Sequence, residues 1–344
     1  MGKTIHDVAV AAGVSTATVS RALSRDSCER VSALTRARIA GIAEELGYRA
    51  NHAARSLKKR STMTVAVLVP ELTNDFFMEV AEGIERELDR NGYTMLLAVS
   101  LNSVEEEKKR ISALADRTVD GMVVIPSASV GDHLQVVADR GTPMVLVDRI
   151  VEGAELDAVV SDNEDGAFKL TKALIADGFR RIAFVGGDLT ASSARERLSG
   201  YARALAEAGI TPEPGWICLG GMRVEDGYKR MESILESGSV PEAMVAVNLL
   251  IHLGMERKLL ETPAGPRSTA AVIAGFDESG YTPFLPACRY IAAQNSTGIG
   301  KRAGERILEL IKEKKDPGKK KDGEFQRENA GNRIIRLPVT IIRP

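Results

Sequence analysis

Apolar residues recur at two different spacings along the chain, and the spacing changes once. Near the start, Ile5, Val8, Ala9 and Ala12 fall at helical intervals and form one apolar face. Thr4 precedes them with Asp7 three residues on, the pairing of a capping box. Gly13 stands where a helix end wants left-handed backbone. Ser15 then caps a second short helix with Val19, Ala22 and Leu23 inward, and Ser32 opens a third that runs to Gly47 with Ile39, Ile42, Ala43 and Leu46 inward. Two short helices joined by a glycine-containing turn predict a helix-turn-helix.

From Thr64 the pattern becomes short apolar runs separated by helical stretches. Val65–Val69 is the first run, and a helix is predicted over Phe76–Asn91. Met95–Val99, Met122–Ile125, Met144–Val147, Val159–Val160, Ile182–Val185, Ile217–Leu219, Met244–Val247, Val272–Ala274 and Tyr290–Ala293 continue the series. Strands alternating with helices imply parallel sheets covered on both faces. About ten such units exceed one small sheet, so the pattern predicts an α/β core of two doubly wound lobes behind an all-α head.

Charge divides the chain at the same place. Residues 1–60 hold eleven lysines and arginines against five acidic residues, an excess of six; with a net charge of −1 over 344 residues, the rest carries −7. A basic head on an acidic body suits a protein that touches phosphate at one end. Three scattered cysteines, Cys28, Cys218 and Cys288, imply free thiols in a reducing compartment. With no signal-like N-terminus and no apolar run of membrane-spanning length, a cytoplasmic protein without membrane contact is expected.

Candidate chemistry follows from position. In a helix-turn-helix the second helix enters the major groove with its first residues at base edges. Those are Thr16, Ala17 and Arg21, with Arg21 able to form two hydrogen bonds to guanine, and with the Thr18 and Ser20 hydroxyls suited to phosphate. In the core, ligands on doubly wound sheets bind beyond the carboxyl ends of strands. Polar residues gather there: Asn74 after the first run, Asp148 and Arg149 after the fourth, and Asn248, Asp277 and Gln294 after later ones, with Arg195 in the segment after Val185-Gly186-Gly187. Single aspartates at strand ends are ordinary turn or cap residues; five such positions together favour a shared cleft. Two carboxylates and a guanidinium fork, with Phe76 and Phe77 as apolar faces, suit a polyhydroxylated or heterocyclic small molecule.

Other signals carry less. Gly298-Ile299-Gly300-Lys301-Arg302-Ala303-Gly304 is one residue too long for a dinucleotide loop and no acid follows at the required distance. Four histidines lack metal-ligand spacing and form no catalytic set, so neither cofactor nor metal is expected. The Lys-rich stretch 312–321 has interspersed acids and reads as a solvated loop.

The head segments Thr4-Ile5-His6-Asp7-Val8-Ala9, Ala12-Gly13-Val14-Ser15 and Ala17-Thr18-Val19-Ser20-Arg21 resemble the LacI/GalR family of bacterial regulators, as do Val31-Ser32, Thr35-Arg36, Arg38-Ile39 and Glu45-Leu46-Gly47-Tyr48. The similarity runs to the C-terminus. It implies a DNA-binding regulator, a repressor that binds an approximately palindromic double-stranded operator as a homodimer. By the same resemblance residues 50–61 form a hinge helix on DNA, with Leu57 wedged into the minor groove. The implied DNA set is then Thr4, His6, Thr16, Ala17, Thr18, Ser20, Arg21, Asn51, His52, Ala54, Leu57 and Lys58.

The resemblance further implies a cleft lined by Asn74, Phe76, Phe77, Asp148, Arg149, Arg195, Met222, Asn248, Asp277 and Gln294. Its occupant is expected to be a sugar or sugar phosphate, with a purine or nucleoside as the alternative. A head of residues 1–49 would be followed by the hinge and a core of residues 62–344. The lobes would divide as 62–161 plus 295–325 and 162–294 plus 326–344, with crossovers near Ser161–Asp162, Gln294 and Glu324–Glu328.

Several positions depart from the family pattern. Ala50 replaces a proline ahead of the hinge, Ser24 an asparagine, Phe179 a histidine and Met222 an aromatic. Leu249 replaces an aspartate, which is expected to remove a capping or polar role. The rival readings are a solute-binding protein, which would need export instead of a basic head, and an enzyme, which would need a nucleophile or cofactor loop.

Overall fold

A computed structural model of the protein describes residues 3–23, 31–48, 61–117, 119–262, 271–316 and 334–344. It divides into two units, Met1–Thr62 and Met63–Pro344.

The first unit contains α1 (Ile5–Ala11), α2 (Thr16–Ala22) and α3 (Ala33–Glu45). Thr4 and Asp7 form the reciprocal capping box, and Ser15 and Ser32 cap the other two helices. Gly13 takes φ +62°, a left-handed conformation that spares a Cβ clash and lets Val14 N–H return to the Ala9 carbonyl. Val8, Ala9, Ala12, Val19, Ala22, Ile39 and Ala43 form the core of this unit. Arg38 ties the third helix to the first by donating to the Ala12 carbonyl at 3.1 Å, which satisfies an acceptor left over at the helix end.

The second unit is two lobes of similar build. The first begins β1 (Thr64–Val69), α4 (Asp75–Arg90), β2 (Thr94–Val99), α5 (Val104–Asp116), β3 (Gly121–Val124), α6 (Asp132–Asp139), β4 (Met144–Val147) and β5 (Asp157–Ser161). The chain then enters the second lobe: α7 (Asn163–Ala176), β6 (Ile182–Val185), α8 (Ser192–Glu207), β7 (Ile217–Cys218), α9 (Val224–Glu236), β8 (Ala243–Ala246), α10 (Leu249–Glu261), β9 (Val272–Phe276) and β10 (Cys288–Ala293). It returns to the first with α11 (Ser296–Lys315) and ends in β11 (Ile334–Leu337) and β12 (Thr340–Ile342).

The sheet orders are β11-β5-β4-β3-β1-β2 and β12-β10-β9-β8-β6-β7. Every pairing is parallel except β10 with β12. Alternate residues of β1 enter different cores: Val65, Val67 and Val69 pack beneath α4 and α11, while Ala66 and Leu68 face Ile111, Leu134 and Leu146. Both faces are therefore covered, as parallel sheets require.

The third crossover is not near Glu324–Glu328. β11 pairs in register with β5, Ile334 against Ala158, and so belongs to the first lobe; only β12 joins the second. The crossing lies between Leu337 and Thr340, where Pro338 cannot donate a ladder hydrogen bond and splits one apolar run into two strands. The first and third crossovers touch, since Asp162 N–H donates to the Leu337 carbonyl at 2.8 Å.

Candidate functional site

In the first unit most of the described residues expected at DNA are exposed. Thr16, Ala17, Ser20 and Arg21 are exposed on α2, and His6 is exposed on α1. Two of the hydroxyls have structural partners. Thr18 Oγ1 lies 2.9 Å from Ser15 Oγ, and Thr4 is held by Asp7, whose carboxylate accepts from the Thr4 N–H at 2.7 Å. That backbone hydrogen bond is the main reason the Asp7 carboxyl lies below its ordinary range. Asn51, His52, Ala54, Leu57 and Lys58 lie outside the described residues.

In the second unit a cleft opens where the carboxyl ends of both sheets face each other. Its empty space, counting what is open to solvent, is ≈ 420 Å³. Asn74, Phe76, Phe77, Asp148, Arg149, Met222, Asn248, Asp277 and Gln294 line it, together with Glu71, Asn102, Ser193, Arg197 and Arg223.

Arg195 is not among them. It points outward from α8 and donates to the Leu189 and Thr190 carbonyls, while Arg197 faces the cleft. The correction is a matter of helical phase. Ala194, Arg197, Tyr201 and Ala204 form the buried stripe of α8, and residue 195 lies off that stripe. A lone arginine inside an otherwise apolar helical stripe was the available signal. Ser193 and Arg223 had none, because loop and helix-start geometry places them.

Each side chain is positioned by the element it ends. Asp148 and Asp277 follow β4 and β9 with φ of +65° and +73°. Left-handed backbone at a residue other than glycine costs energy and persists only where the surroundings impose it. Asp277 Oδ2 accepts from Leu249 N–H at 3.2 Å, and Oδ1 accepts from the Gln294 amide. Asn248 caps α10, with Oδ1 accepting from Ile251 N–H at 2.9 Å, and its amide holds the Met222 carbonyl. The cap expected to be lost with Leu249 is thus kept by Asn248. Asn74 caps α4 in the same way through Phe76 N–H, and the Phe76 and Phe77 rings meet edge to face at 5.6 Å.

Arg197 is fully enclosed. Its Nε donates to Asn163 Oδ1 at 2.8 Å, Nη1 donates to the Val247 carbonyl at 2.7 Å, and the guanidinium lies 3.9 Å over the Phe276 ring. Burial pushes its pKa down, and the nearby Asp277 and Asp148 carboxylates oppose that. Burial pushes the Asp148 carboxyl up, against the pull of Arg149 and Arg197. Arg149 donates to the Pro126 carbonyl at 2.9 Å, but its Nε, 3.4 Å from Asp148, is not aligned for a hydrogen bond. Arg149 Nε and Gln294 Oε1 are buried polar atoms without a hydrogen bond, one donor and one acceptor on residues that line the cleft. Such atoms are costly unless a ligand supplies the missing bond.

Both lobes contribute to the cleft and bond across it. Ile150 N–H, just past β4, donates to Ser192 Oγ at 2.8 Å, and Arg336 on β11 forms a two-pronged ion pair with Glu196 on α8 at 2.9 and 3.0 Å. Among the described residues no cluster of metal-ligating side chains is present, and no helix is long and apolar enough to cross a membrane.

Two family profiles match the chain. That of "Bacterial regulatory proteins, lacI family" covers residues 4–51, and that of "Periplasmic binding proteins and sugar binding domain of LacI family" covers residues 62–320. The HTH-type transcriptional repressor PurR of Vibrio atlanticus (strain LGP32) is 34% identical over 313 residues, 90% of this chain and 92% of its own. The structure of the lac repressor dimer bound to operator and the anti-inducer ONPF aligns with a TM-score of 0.82 at 23% identity, over 100% of this chain and 98% of that one. The transcriptional regulator CelR in complex with cellobiose aligns with a TM-score of 0.69 at 26% identity, over 99% and 98%.

Proposed function

This chain belongs to the LacI family of bacterial regulatory proteins and is a ligand-controlled, DNA-binding transcriptional repressor, not an enzyme; we propose that its head reads an approximately palindromic operator as a homodimer while a small molecule between the lobes of its core decides whether it does so. Palindromy follows from symmetry, because two heads related by a two-fold axis read two half-sites. The work is done in the cytoplasm, where the operator is. Arg21, Thr16 and Ala17 face the bases, Ser20 and His6 lie beside the backbone, and Leu57 of the hinge enters the minor groove.

The observation that carries the sensing role is the cleft itself, in which Asp148 and Asp277 from opposite lobes flank one buried guanidinium, Arg197. A ligand held by both lobes has different contacts when the lobes shift, and that difference is what moves a conformational equilibrium. The effector is a sugar: the carboxylates accept from hydroxyls, and the two phenylalanines offer an apolar face. Three guanidinium groups, of Arg149, Arg197 and Arg223, line the cleft, but two buried carboxylates oppose a phosphate, and Arg197 already spends Nε and Nη1 on Asn163 and the Val247 carbonyl. A purine stacked on Phe76 or Phe77 is the second reading. The relative that aligns at 26% identity in complex with cellobiose favours the first.

Thermal melting against sugars, sugar phosphates and purines tests this, since a ligand at a hundred times its dissociation constant stabilises by about 2.7 kcal/mol. A shift that Asp277→Ala removes supports the cleft; a shift that survives Asp277→Ala refutes it. Operator binding that does not weaken steeply with rising salt would refute the DNA-binding role of the head.

A further inference from the structure

A second cavity opens beside the cleft. It is wide and more open to solvent than the cleft, and Asn102 lines both. We infer that the effector is a neutral molecule of two linked rings, one in the cleft and a second, polyhydroxylated ring in this annex. The inference rests on the reading of the cleft as the effector site.

The annex has a built floor. Glu107 on α5 is completely buried, yet both of its oxygens are used: Oε2 accepts from Ser127 N–H at 2.5 Å, and Oε1 meets His133 Nε2 at 2.8 Å. A buried carboxylate is tolerated only with such partners, and their effect is to fix Ser127 and His133, both of which line the annex. Ser127 Oγ is braced in turn by Ser100 Oγ at 2.8 Å. At the junction Leu101 and Asn102 both hold left-handed backbone, with φ of +58° and +52°. Two successive such residues without glycine are costly, and here they hold the amide that the two cavities share.

The second lobe closes the annex from the other side. Thr190, in the loop after β6, donates its N–H and hydroxyl to Asp188 Oδ1 at 2.9 and 2.8 Å, and both residues line the space. A ring seated there touches both lobes, as a ring in the cleft does.

Chemistry selects the occupant. Hydroxyls, an amide, an imidazole and the carboxylates of Asp132 and Asp188 face the annex with one cation, Lys108. That set pairs with sugar hydroxyls in both directions. Two carboxylates against one ammonium disfavour a phosphate. Among the described residues no phenyl, phenol or indole ring lines the annex, whereas Phe76 and Phe77 line the cleft. The ring with an apolar face therefore belongs in the cleft and the hydroxylated ring in the annex. A disaccharide and a nucleoside both meet this description.

Calorimetry on the full-length protein tests it with three sets of probes. Single rings are glucose, fructose, ribose, adenine and hypoxanthine; two-ring probes are cellobiose, maltose, sucrose, adenosine and inosine; phosphorylated single rings are glucose 6-phosphate and ribose 5-phosphate. One two-ring probe should bind at least about thirtyfold more tightly than either of its halves, because the second ring binds within the same molecule. Ser129→Phe, which fills the annex, should reduce that probe to the affinity of a single ring and leave single rings within about threefold of wild type, a change of less than 1 kcal/mol. Lys108→Ala, at an exposed helical position, should weaken only the two-ring probe and serves if Ser129→Phe does not fold.

Which two-ring set responds distinguishes disaccharide from nucleoside. Single rings that bind as tightly as two-ring probes, a phosphorylated ring that binds best, or no binding by any probe would each overturn the inference. If single rings bind as tightly as two-ring probes and Asp277→Ala abolishes that binding, the cleft reading stands while the annex fails; if Asp277→Ala changes no binding, the cleft reading itself fails.

Discussion

Arg197 donates its Nε to Asn163 Oδ1 at 2.8 Å, so the guanidinium at the effector cleft is bonded directly to the first crossover between the lobes. Asn163 in turn donates to the Ser161 carbonyl at the end of β5. These bonds link the cleft-lining guanidinium to the crossover strand end. Arg197→Lys keeps the charge but loses the planar stack on Phe276 and at least one of the two donated bonds. It should destabilise the core by about 1.5–3 kcal/mol, the worth of a hydrogen bond to a charged group. Effector affinity should fall at least about tenfold, a loss of about 1.4 kcal/mol or more. Arg195→Ala should leave affinity nearly unchanged. Parallel calorimetry of the two variants checks the exchange of roles.

The Arg336–Glu196 ion pair spans the lobes, but its side chains are 41% and 23% exposed. Solvent screening holds such a pair to about 0–1 kcal/mol. A double-mutant cycle with Arg336→Ala and Glu196→Gln should give a coupling in that range in melting experiments, falling as salt is raised. Because the partners lie on different lobes, the same variants should also alter effector affinity, by up to about fivefold. A coupling well above 1 kcal/mol would show the pair to be shielded in solution.

Asp148 carries a pH signature. Burial raises its folded pKa above the ordinary value of 3.8. The folded state therefore holds this proton to higher pH than the unfolded chain does. The contribution to stability is greatest below about 3.8 and is lost as pH rises through the folded value. Asp148→Asn removes the charge and suits the left-handed backbone at this position. It should melt higher than wild type at pH 7, with the difference shrinking as pH falls towards 4, and it should weaken effector binding. Melting curves of both proteins from pH 4 to 8 give the sign directly.

Gly300 lies where α11 crosses α4 at backbone contact. A Cβ there would sit 2.2 Å from the Val80 carbonyl oxygen and 2.9 Å from the Gly83 Cα. Neither helix backbone can yield without shifting the core beneath. Gly300→Ala should cost about 1–3 kcal/mol, the usual price of overpacking, despite alanine's better helix propensity. Urea denaturation measures it, and a neutral or stabilising result would mean the helices separate easily.

At the head, Arg21→Ala should weaken operator binding by about 1–3 kcal/mol and relax preference at one base pair of each half-site. Titration of operator duplexes substituted one position at a time reads both effects. Unchanged affinity would mean another side chain of α2 reads the bases.

Local physics made much of this protein legible in its sequence. The capping pairs Thr4–Asp7, Ser15–Thr18 and Ser32–Thr35 act over three residues, and the apolar stripes of the head and the strand runs from Val65 to Ala293 repeat over two to four. Such signals need no knowledge of distant partners. Position relative to strand ends was local too, which is why Asp148, Asn248 and Asp277 could be placed at a common edge before any fold was in hand. Decisions between distant segments were not legible. Helical spacing puts Arg197 and not Arg195 in the apolar stripe of α8, but that the stripe borders the cleft is set by packing alone. β11 and β12 go to different sheets, at the edges formed by β5 and β10, a choice among four open edges that no local pattern makes. The annex is assembled from the ends of α5 and α6 and the loops after β3 and β6, segments up to 88 residues apart from Asn102 to Thr190. Their meeting is a property of the packed lobes, since no sequence pattern of a few residues encodes a space between them.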